Sequence, residues 1–246
     1  MKGVRLARNE RVDSLDHLGR RIIQRTDGFR FSMDAVLLAH FPRYGKKCRV
    51  LDLGTGTGAI PLLMAENAAY VEALEIDNAM AGMAARSVLL NGLEKKIRVR
   101  CGDYREIRNL IKPESFDVVL ANPPYGAVSG GPVAKGAQAG ARQEVTATLS
   151  DVVKAARYAL RYGGKFAMVH RPARLAEIFA AMAANQLAPK RMRLVEPRAG
   201  KSANLVLIEA VQGGAPGNLV ALPTLQVYGE DGKYTEELLG IYGKKE

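Results

Sequence analysis

A carboxamide, two prolines and a tyrosine follow one another directly after an apolar run. The run is residues 116–121, and Asn122, Pro123, Pro124 and Tyr125 come next. Two prolines in such a turn fix the backbone and remove two N–H donors. The remaining amide oxygen, carbonyl oxygens and aromatic ring suit a planar group that bears an NH2, since the oxygens accept its hydrogens and the ring stacks on its plane. The alternative is a rigid strand-ending turn with a packed tyrosine.

A glycine-rich segment is the second group of residues that could do chemistry. It follows an apolar run at residues 49–53 and contains Gly54, Gly56 and Gly58, which permit positive φ and close approach of a ligand. Asp52 lies just before these glycines. Its charge would repel a pyrophosphate and attract the ammonium of a methionine moiety.

Two further carboxylates lie at the ends of the next two predicted strands, one near the end of the first and one just after the second. Glu75 is placed to hold two ribose hydroxyls, and Asp103 to accept a hydrogen from an adenine amino group. In parallel α/β sheets ligands bind at the carboxyl ends of the strands, where Asn122 also lies. Each acid alone could simply cap a loop, but together with Asp52 they favour a nucleoside site.

The same glycines must be weighed against a dinucleotide site. Gly54, Gly56 and Ala59 satisfy the dinucleotide fingerprint, and Glu75 lies about 20 residues further on. Asp52, the additional glycine at position 58 and the motif after residue 121 argue against this reading. An NAD-dependent oxidoreductase therefore remains a distant alternative.

The elements that position these residues alternate between strand and helix from residue 49 onward. Predicted strands are residues 49–53, 70–76, 97–101, 116–121, 165–170, 191–196 and 205–210, and predicted helices are 59–66, 79–90, 151–160 and 172–185. No helix separates the last two strands, so they suit an antiparallel pair. The pattern predicts an α/β, doubly wound, Rossmann-like fold: a mostly parallel seven-stranded sheet with a reversed last strand.

Residues 1–48 are predicted to be an N-terminal extension that packs on a core domain of residues 49–246, in a single compact domain overall. The extension contains a short strand at residues 21–24 and a helix at 34–41. Residues 126–141, rich in Gly and Ala, are either a lid over a substrate or disordered.

The bulk composition narrows the class of protein. Hydrophobic residues make up 48% of the 246 residues and charged residues 25%, as in an ordinary globular protein. We expect no membrane span, no signal peptide and no metal site, and Cys48 and Cys101 favour a cytoplasmic protein with free thiols. The net charge of +11 favours a polyanionic partner, although a lineage rich in Lys and Arg would also explain it.

Taken together, the site residues resemble the class I S-adenosylmethionine-dependent methyltransferases. Residues 52–58 look like their glycine loop, Glu75 like their ribose acid and Asp103 like their adenine contact. Residues 122–125 are similar to the catalytic motif of the members that methylate amino groups.

A closer resemblance is to the bacterial tRNA1(Val) adenine-N6 methyltransferases. It rests on residues 27–38, 170–175, 203–209 and 227–235, and covers nearly the whole chain. It implies methylation of adenosine 37 in the anticodon loop of a valine tRNA. One departure is Gln143, where this family leads us to expect a histidine.

The resemblance implies a role for each site residue. Asn122 Oδ1 and the Pro123 carbonyl would accept the two amino hydrogens, and Tyr125 would stack on the base. Asn122 is also expected to contact the cofactor. Asp34 and Phe31 would close over its methionine end, or else serve in helix capping and core packing. The RNA contacts are expected from Tyr125, Arg142, Arg171, Lys190, Arg191 and Lys201. Arg171 could equally be a structural residue at a strand exit, and the three histidines, His170 included, are not needed in this scheme.

Related chemistry leaves alternatives open. The same tetrapeptide serves glutamine methylation in release factors and guanine methylation in ribosomal RNA. An RNA-binding protein with an inactive nucleotide fold is a further possibility, although the complete set of polar residues argues against it. The oligomeric state is open, and a monomer suffices in principle.

Overall fold

The protein is seen in a computed structural model that describes residues 3–28, 31–125 and 147–243. The strands are β1 (Glu10–Ser14), β2 (Arg21–Arg25), β3 (Arg49–Leu53), β4 (Tyr70–Glu75), β5 (Ile97–Cys101), β6 (Phe116–Ala121), β7 (Leu160–His170), β8 (Leu187–Glu196), β9 (Leu205–Gln212) and β10 (Val220–Gln226). The helices are α1 (Met33–His40), α2 (Ala59–Met64), α3 (Asn78–Leu90), α4 (Ile107–Leu110), α5 (Leu149–Ala159), α6 (Leu175–Ala184) and α7 (Glu236–Ile241). None of the helices within these residues is long and apolar enough to cross a bilayer.

The main sheet has eight strands in the order β10-β8-β9-β7-β6-β3-β4-β5. All neighbouring strands are parallel except β9, which is antiparallel to both β7 and β8. This arrangement confirms the predicted doubly wound, mostly parallel sheet and its reversed strand. The eighth strand, β10, was not predicted and extends the edge beside β8.

Proline explains why the edge strand β10 escapes sequence analysis. Pro223 lies inside it, and proline lacks the N–H that a central strand needs. The register with β8 shifts between Leu222 and Leu225, which accommodates Pro223 at the edge. Pro189 has the same effect in β8, whose predicted start at residue 191 is moved to Leu187.

Alternating side chains of the central strands supply both halves of the core. In β6, Val118 and Leu120 face the cluster that contains α1 and α2, whereas Val119 and Ala121 face the cluster that contains α5. All four are at most 1% exposed. Since both faces are covered by helices, ligands can reach the sheet only at its ends.

The N-terminal segment adds a separate two-stranded antiparallel sheet of β1 and β2. The predicted strand at residues 21–24 and helix at 34–41 are confirmed as β2 and α1, while β1 was missed. The Ile23 N–H donates to Ser87 Oγ over 2.9 Å, which fastens β2 to α3. Helix α1 shares one apolar cluster with α2. The division into residues 1–48 and 49–246 therefore stays a prediction.

Candidate active site

The glycine segment forms an open loop between β3 and α2. Gly54, Gly56 and Gly58 have φ values of +74°, +58° and +91°, a region that L-residues with a Cβ rarely adopt. The N–H groups of Gly54 and Thr55 both donate to the Leu74 carbonyl, over 2.9 and 3.0 Å. A Cβ placed on Gly54 or Gly56 would meet no atom within 4 Å. The loop is thus held against β4 and leaves space above it for a ligand.

Glu75, at the end of β4, holds the same loop from the side. One carboxylate oxygen accepts from the Gly56 N–H over 2.7 Å and the other from the Asp77 N–H over 2.9 Å. Burial raises the pKa of Glu75, and these two hydrogen bonds oppose the rise. Each oxygen keeps a second lone pair. The carboxylate is therefore positioned to accept from two vicinal hydroxyls.

Asp52 is fully buried and lacks a hydrogen-bond partner among the described residues, at either carboxylate oxygen. Burial raises its pKa to about 7, the nearby Thr55 hydroxyl opposes this rise, and the charge of Glu75 adds to it. A buried carboxylate without a partner is unfavourable. The site therefore fits a ligand that brings a cationic donor.

Asp103 follows β5 and is engaged locally. Its Oδ1 accepts from the Arg105 N–H over 2.8 Å, and its Oδ2 accepts from the Arg105 guanidinium over 2.7 Å. Arg105 thereby lowers the pKa of Asp103, so the carboxylate stays ionised. An adenine amino group would share the carboxylate with Arg105.

The Asn122 amide lies beyond β6, on the side of the sheet that faces α1. The contacts of Tyr125 show this position. Its hydroxyl donates to Asp34 Oδ2 on α1 over 2.7 Å and lies 3.2 Å from Asn122 Oδ1. The single hydroxyl proton serves the closer, charged oxygen of Asp34 better. Asn122 Oδ1 therefore retains capacity to accept hydrogens from a ligand.

Strand register brings this amide close to the orphan carboxylate. Asp52 on β3 pairs with Leu120 on β6, and Asn122 follows two residues later. Side chains two residues apart share a face of the sheet. Strand geometry puts the Cα atoms of Asp52 and Asn122 roughly 8 Å apart. One ligand can therefore contact the loop and lie beside the amide.

The ring of Tyr125 is fixed by two residues at the end of β7. His170 meets it edge-on, with ring centroids 5.2 Å apart, and the Arg171 guanidinium lies 4.9 Å from its centroid. Arg171 also donates to the Asn204 carbonyl over 3.0 Å. Arg171 thus faces the tyrosine that was expected to stack on a base.

His170 packs against Tyr125, a contact that could not be predicted from the sequence. It is 1% exposed, and its Nδ1 accepts from the Arg171 N–H over 2.8 Å. Burial lowers its pKa to about 4, and the charge of Arg174 adds to this. Its imidazole is therefore neutral at pH 7, with the proton on Nε2. The position of His170 at the end of a predicted strand was the one available signal.

The remaining predicted cofactor residues belong to the α1 side. Asp34, in the first turn of α1, accepts a hydrogen bond from the Tyr125 hydroxyl. Phe31 is half-buried and packs on the apolar cluster that Tyr125 also contacts. Asp34 therefore lies beside the motif of residues 122–125, Phe31 lies on the same side of the core, and the contact of either residue with a cofactor stays a prediction.

The structure separates the predicted RNA contacts into two groups. Arg171 and Lys201 are exposed and lie beyond the carboxyl ends of β7 and β8, the edge that holds Asn122. Arg142, Gln143 and the predicted loop at 126–141 fall outside the described residues.

Lys190 and Arg191 do not lie at the site. They are near the start of β8, and about 20 Å of strand separates Lys190 from Glu196 at its other end. Lys190 Nζ donates to the carbonyls of Ala215 and Gly217, over 2.6 and 2.8 Å. Arg191 pairs with the buried Glu209 at 3.3 Å. A parallel strand begins at the edge opposite the ligand edge, so these two cations lie away from Asn122, and their expected contact with RNA stays a prediction.

The sequence of this chain matches a known protein family. The family model described as methyltransferase small domain matches residues 32–185. The tRNA1(Val) (adenine(37)-N6)-methyltransferase of Tolumonas auensis is 30% identical over 179 residues, which are 71% of this chain and 73% of that protein. The protein of the same description from Bacteroides fragilis is 38% identical over 93 residues, so the match spans 39% of its length and 37% of this chain.

Solved structures share the architecture. A predicted O-methyltransferase from Agrobacterium tumefaciens superposes with a TM-score of 0.70 at 26% identity, covering 85% of this chain and 95% of that one. The T. thermophilus 16S rRNA N2 G1207 methyltransferase, in complex with AdoMet and guanosine, has a TM-score of 0.58 at 23% identity, covering 85% of this chain and 52% of that one. The second likeness bears on the fold alone. Because the family model matches more than half of the 246 residues, the chain belongs to the methyltransferase small domain family, and its resemblance to the bacterial tRNA1(Val) adenine-N6 methyltransferases is confirmed.

Proposed function

We propose that the protein transfers a methyl group from S-adenosylmethionine to the exocyclic N6 amine of adenine in tRNA. One observation carries the proposal. The Asn122 amide lies just beyond β6, two residues after Leu120, which pairs with the unpartnered Asp52 on the neighbouring strand. The names of the relatives from Tolumonas auensis and Bacteroides fragilis support the adenine target.

The donor set fits S-adenosylmethionine. Asp52 would hold the ammonium of its methionine part, Glu75 its two ribose hydroxyls and Asp103 its adenine amino group. Because Gly54 and Gly56 carry no side chain, S-adenosylmethionine would have space to lie against the backbone of this loop. When bound, this molecule supplies an electrophilic methyl group on a sulfonium.

Asn122 and Pro123 would orient the amine. The lone pair of an adenine amino group is delocalised into the ring, so the nitrogen is a poor nucleophile. Asn122 Oδ1 and the Pro123 carbonyl accept its two hydrogens and draw the nitrogen toward tetrahedral geometry. Such positioning supplies up to about 7–11 kcal/mol of barrier reduction in favourable cases. No strong base is required, since the methylated ammonium loses its proton readily.

Tyr125 would cover the plane of the base, worth roughly 1–3 kcal/mol of stacking. Its pKa is raised by burial and then by Asp34, so the phenol stays protonated and keeps its hydrogen bond. Asp34, His170 and Arg171 thus fix the ring before a base arrives.

The finer target is adenosine 37 of a valine tRNA, in the cytoplasm. The descriptions of the relatives support the tRNA target, and the net charge of +11 suits a polyanion. Arg171 and Lys201 are the described cations we assign to the RNA at this edge, and Arg142 stays a prediction.

The substrate class can be tested by competition. The protein is incubated with methyl-labelled S-adenosylmethionine and equal amounts of total tRNA, ribosomal RNA and a release factor. We expect label in the tRNA. Label in the release factor would support glutamine methylation, label in ribosomal RNA would support guanine methylation, and either would contradict the proposal. NAD binding without any transfer would support an oxidoreductase.

Tyr125→Phe tests the link between the ring and the motif. Losing the hydroxyl leaves the Asp34 carboxylate without that donor, so the free energy of unfolding should fall by about 1–2 kcal/mol in urea titrations. The loosened ring should also lower kcat for methyl transfer about tenfold.

Tyr70→Phe is the matched control for this change. The Tyr70 hydroxyl donates to Glu72 over 2.6 Å, but at the start of β4, away from the site. It should lose comparable stability while kcat stays within twofold. Equal effects of both variants on kcat would mean that Tyr125 acts only through stability.

A further inference from the structure

Three tyrosines form a row in the C-terminal segment, here called the tyrosine row: Tyr228, Tyr234 and Tyr242. The rings of Tyr228 and Tyr234 lie 5.3 Å apart at 31°, and those of Tyr234 and Tyr242 lie 6.2 Å apart and are nearly parallel at 9°. Tyr242 is half-buried, whereas Tyr228 is 36% exposed and Tyr234 43%. The row therefore runs from the protein interior to an aromatic surface in solvent.

The inner end of the tyrosine row lies on the α1 side of the core. Tyr242 packs on the same apolar cluster as Tyr125 and Phe31, and α7 packs on α1, which carries Asp34. The pKa of Tyr242 is raised to about 12 by burial, then by Tyr234 and then by the charge of Asp34. Asp34 in turn accepts the Tyr125 hydrogen bond. The tyrosine row thus runs from the exposed rings to the α1 side of the core, where Asp34 accepts the Tyr125 hydrogen bond.

Backbone contacts hold the outer rings at the ligand edge of the sheet. The Tyr228 N–H donates to the Pro197 carbonyl over 2.9 Å, just beyond β8. An isolated bridge pairs Tyr228 with Tyr234 across a turn. Both rings therefore lie beyond the carboxyl ends of the parallel strands, as Asn122 does.

Basic side chains border the outer rings. Arg198, Lys201 and Lys233 are all exposed. A Cβ placed on Gly232 would lie 3.7 Å from Arg198 Nη2, so the guanidinium leans on the turn that carries Tyr234. Two acids, Glu230 and Asp231, share this turn. Aromatic rings with flanking cations are the arrangement that binds unpaired nucleotides, through stacking and phosphate contacts.

We propose that the tyrosine row stacks on unpaired bases of the RNA that lie next to the target adenine. The inference rests on the proposed function, because it names how the same RNA is held outside the reacting motif. A base on Tyr228 or Tyr234 would continue a stack that the protein has already formed, while Arg198 and Lys201 contact its phosphates. Loop nucleotides fit this surface, and paired nucleotides do not, since their faces are already stacked.

The test measures RNA affinity by fluorescence anisotropy, with a labelled RNA hairpin that has a seven-nucleotide loop. The double variant Tyr228→Ala, Tyr234→Ala should bind it at least about tenfold more weakly, from the loss of base stacking. The variant with Phe at both positions keeps the rings and should stay within twofold of the unaltered protein. Tyr162→Ala, which removes a tyrosine that is 78% exposed near the start of β7, is the matched control and should bind normally.

Two outcomes would overturn the inference. The alanine variant could bind the hairpin as the unaltered protein does, or it could lose affinity equally for a fully paired duplex. Thermal melting of each variant shows that it is folded. Methyl transfer to tRNA by the unaltered protein is measured in parallel. Absent transfer together with a loop-specific loss of binding would contradict the proposed function and support the tyrosine row.

Discussion

Asn122→Ala should lower kcat for methyl transfer at least about 100-fold while the cofactor still binds. The amide oxygen lies at the point where the sheet ends and accepts, at most, a long contact of 3.2 Å from Tyr125. Its removal takes away an acceptor that acts on the amine as the new bond forms, and such preorganised groups are typically worth 100- to 1000-fold. Rapid-quench assays give kcat, and calorimetry gives the Kd for S-adenosylmethionine.

Asn67→Ala is the control for this variant. Asn67 is exposed and lies between α2 and β4, at the edge of the sheet opposite the site. We expect its kcat and Kd to be unchanged. An Asn122→Ala protein that turns over at the normal rate would remove Asn122 from the mechanism, and a large loss of cofactor affinity would assign it to binding instead.

Asp52→Asn should change affinity and stability in opposite directions. The carboxylate is buried without a partner among the described residues, so it is held ready for a cation. The amide keeps the shape and loses the charge, and we expect the Kd for S-adenosylmethionine to rise about 10- to 100-fold. Without the ligand, the variant should be more stable, because a charge no longer has to be buried.

The raised pKa of Asp52 determines how the stability of the protein depends on pH. The pKa of Asp52 is about 7 in the folded protein, above its usual 3.8, so folding disfavours the ionised form. The cost is absent below about pH 4, grows as the pH rises through the interval, and is complete above pH 7. It amounts to roughly 4 kcal/mol at most. The Tm of Asp52→Asn should therefore exceed that of the unaltered protein by about 4 °C or more at pH 8, and by less than half of that at pH 5.

Binding should show the matching pH dependence. The cation requires the ionised carboxylate, so the Kd of the unaltered protein should rise several-fold as the pH falls from 7.5 to 6, whereas Asp52→Asn should show no such rise. Asp117→Asn is the contrast, because Asp117 pairs with Arg161 at 2.7 Å at the opposite edge. That variant should lose stability and keep its affinity. A lower Tm for Asp52→Asn at pH 8 would contradict the account of a buried, unpartnered charge.

The strands and the polar residues at their ends could be predicted from local patterns. Asp52, Glu75 and Asn122 each follow or end an apolar run, and a parallel sheet gathers such ends at one edge. Contacts between distant segments could not be predicted in this way. Tyr125 and Asp34 are 91 residues apart, and no residue pattern in either segment indicates that the two side chains form a hydrogen bond.

Two other features depended on the direction and edges of the sheet. Lys190 and Arg191 were expected to contact RNA phosphates because they border a strand, and the structure adds that they border its beginning, which faces away from the ligand edge. Pro223 concealed β10, the strand that leads into Tyr228 and the tyrosine row. Local residue types predicted which residues could take part in the chemistry, whereas the packing of the fold determined which other residues lie beside them.

The most direct measurement identifies the atom that receives the methyl group. tRNA is methylated by the protein with labelled S-adenosylmethionine, digested to nucleosides and resolved by liquid chromatography with mass spectrometry. We expect label in N6-methyladenosine, formed at least about 100-fold more slowly when Asn122→Ala replaces the unaltered protein. Label on a ring nitrogen, on a ribose oxygen or on guanine would contradict it.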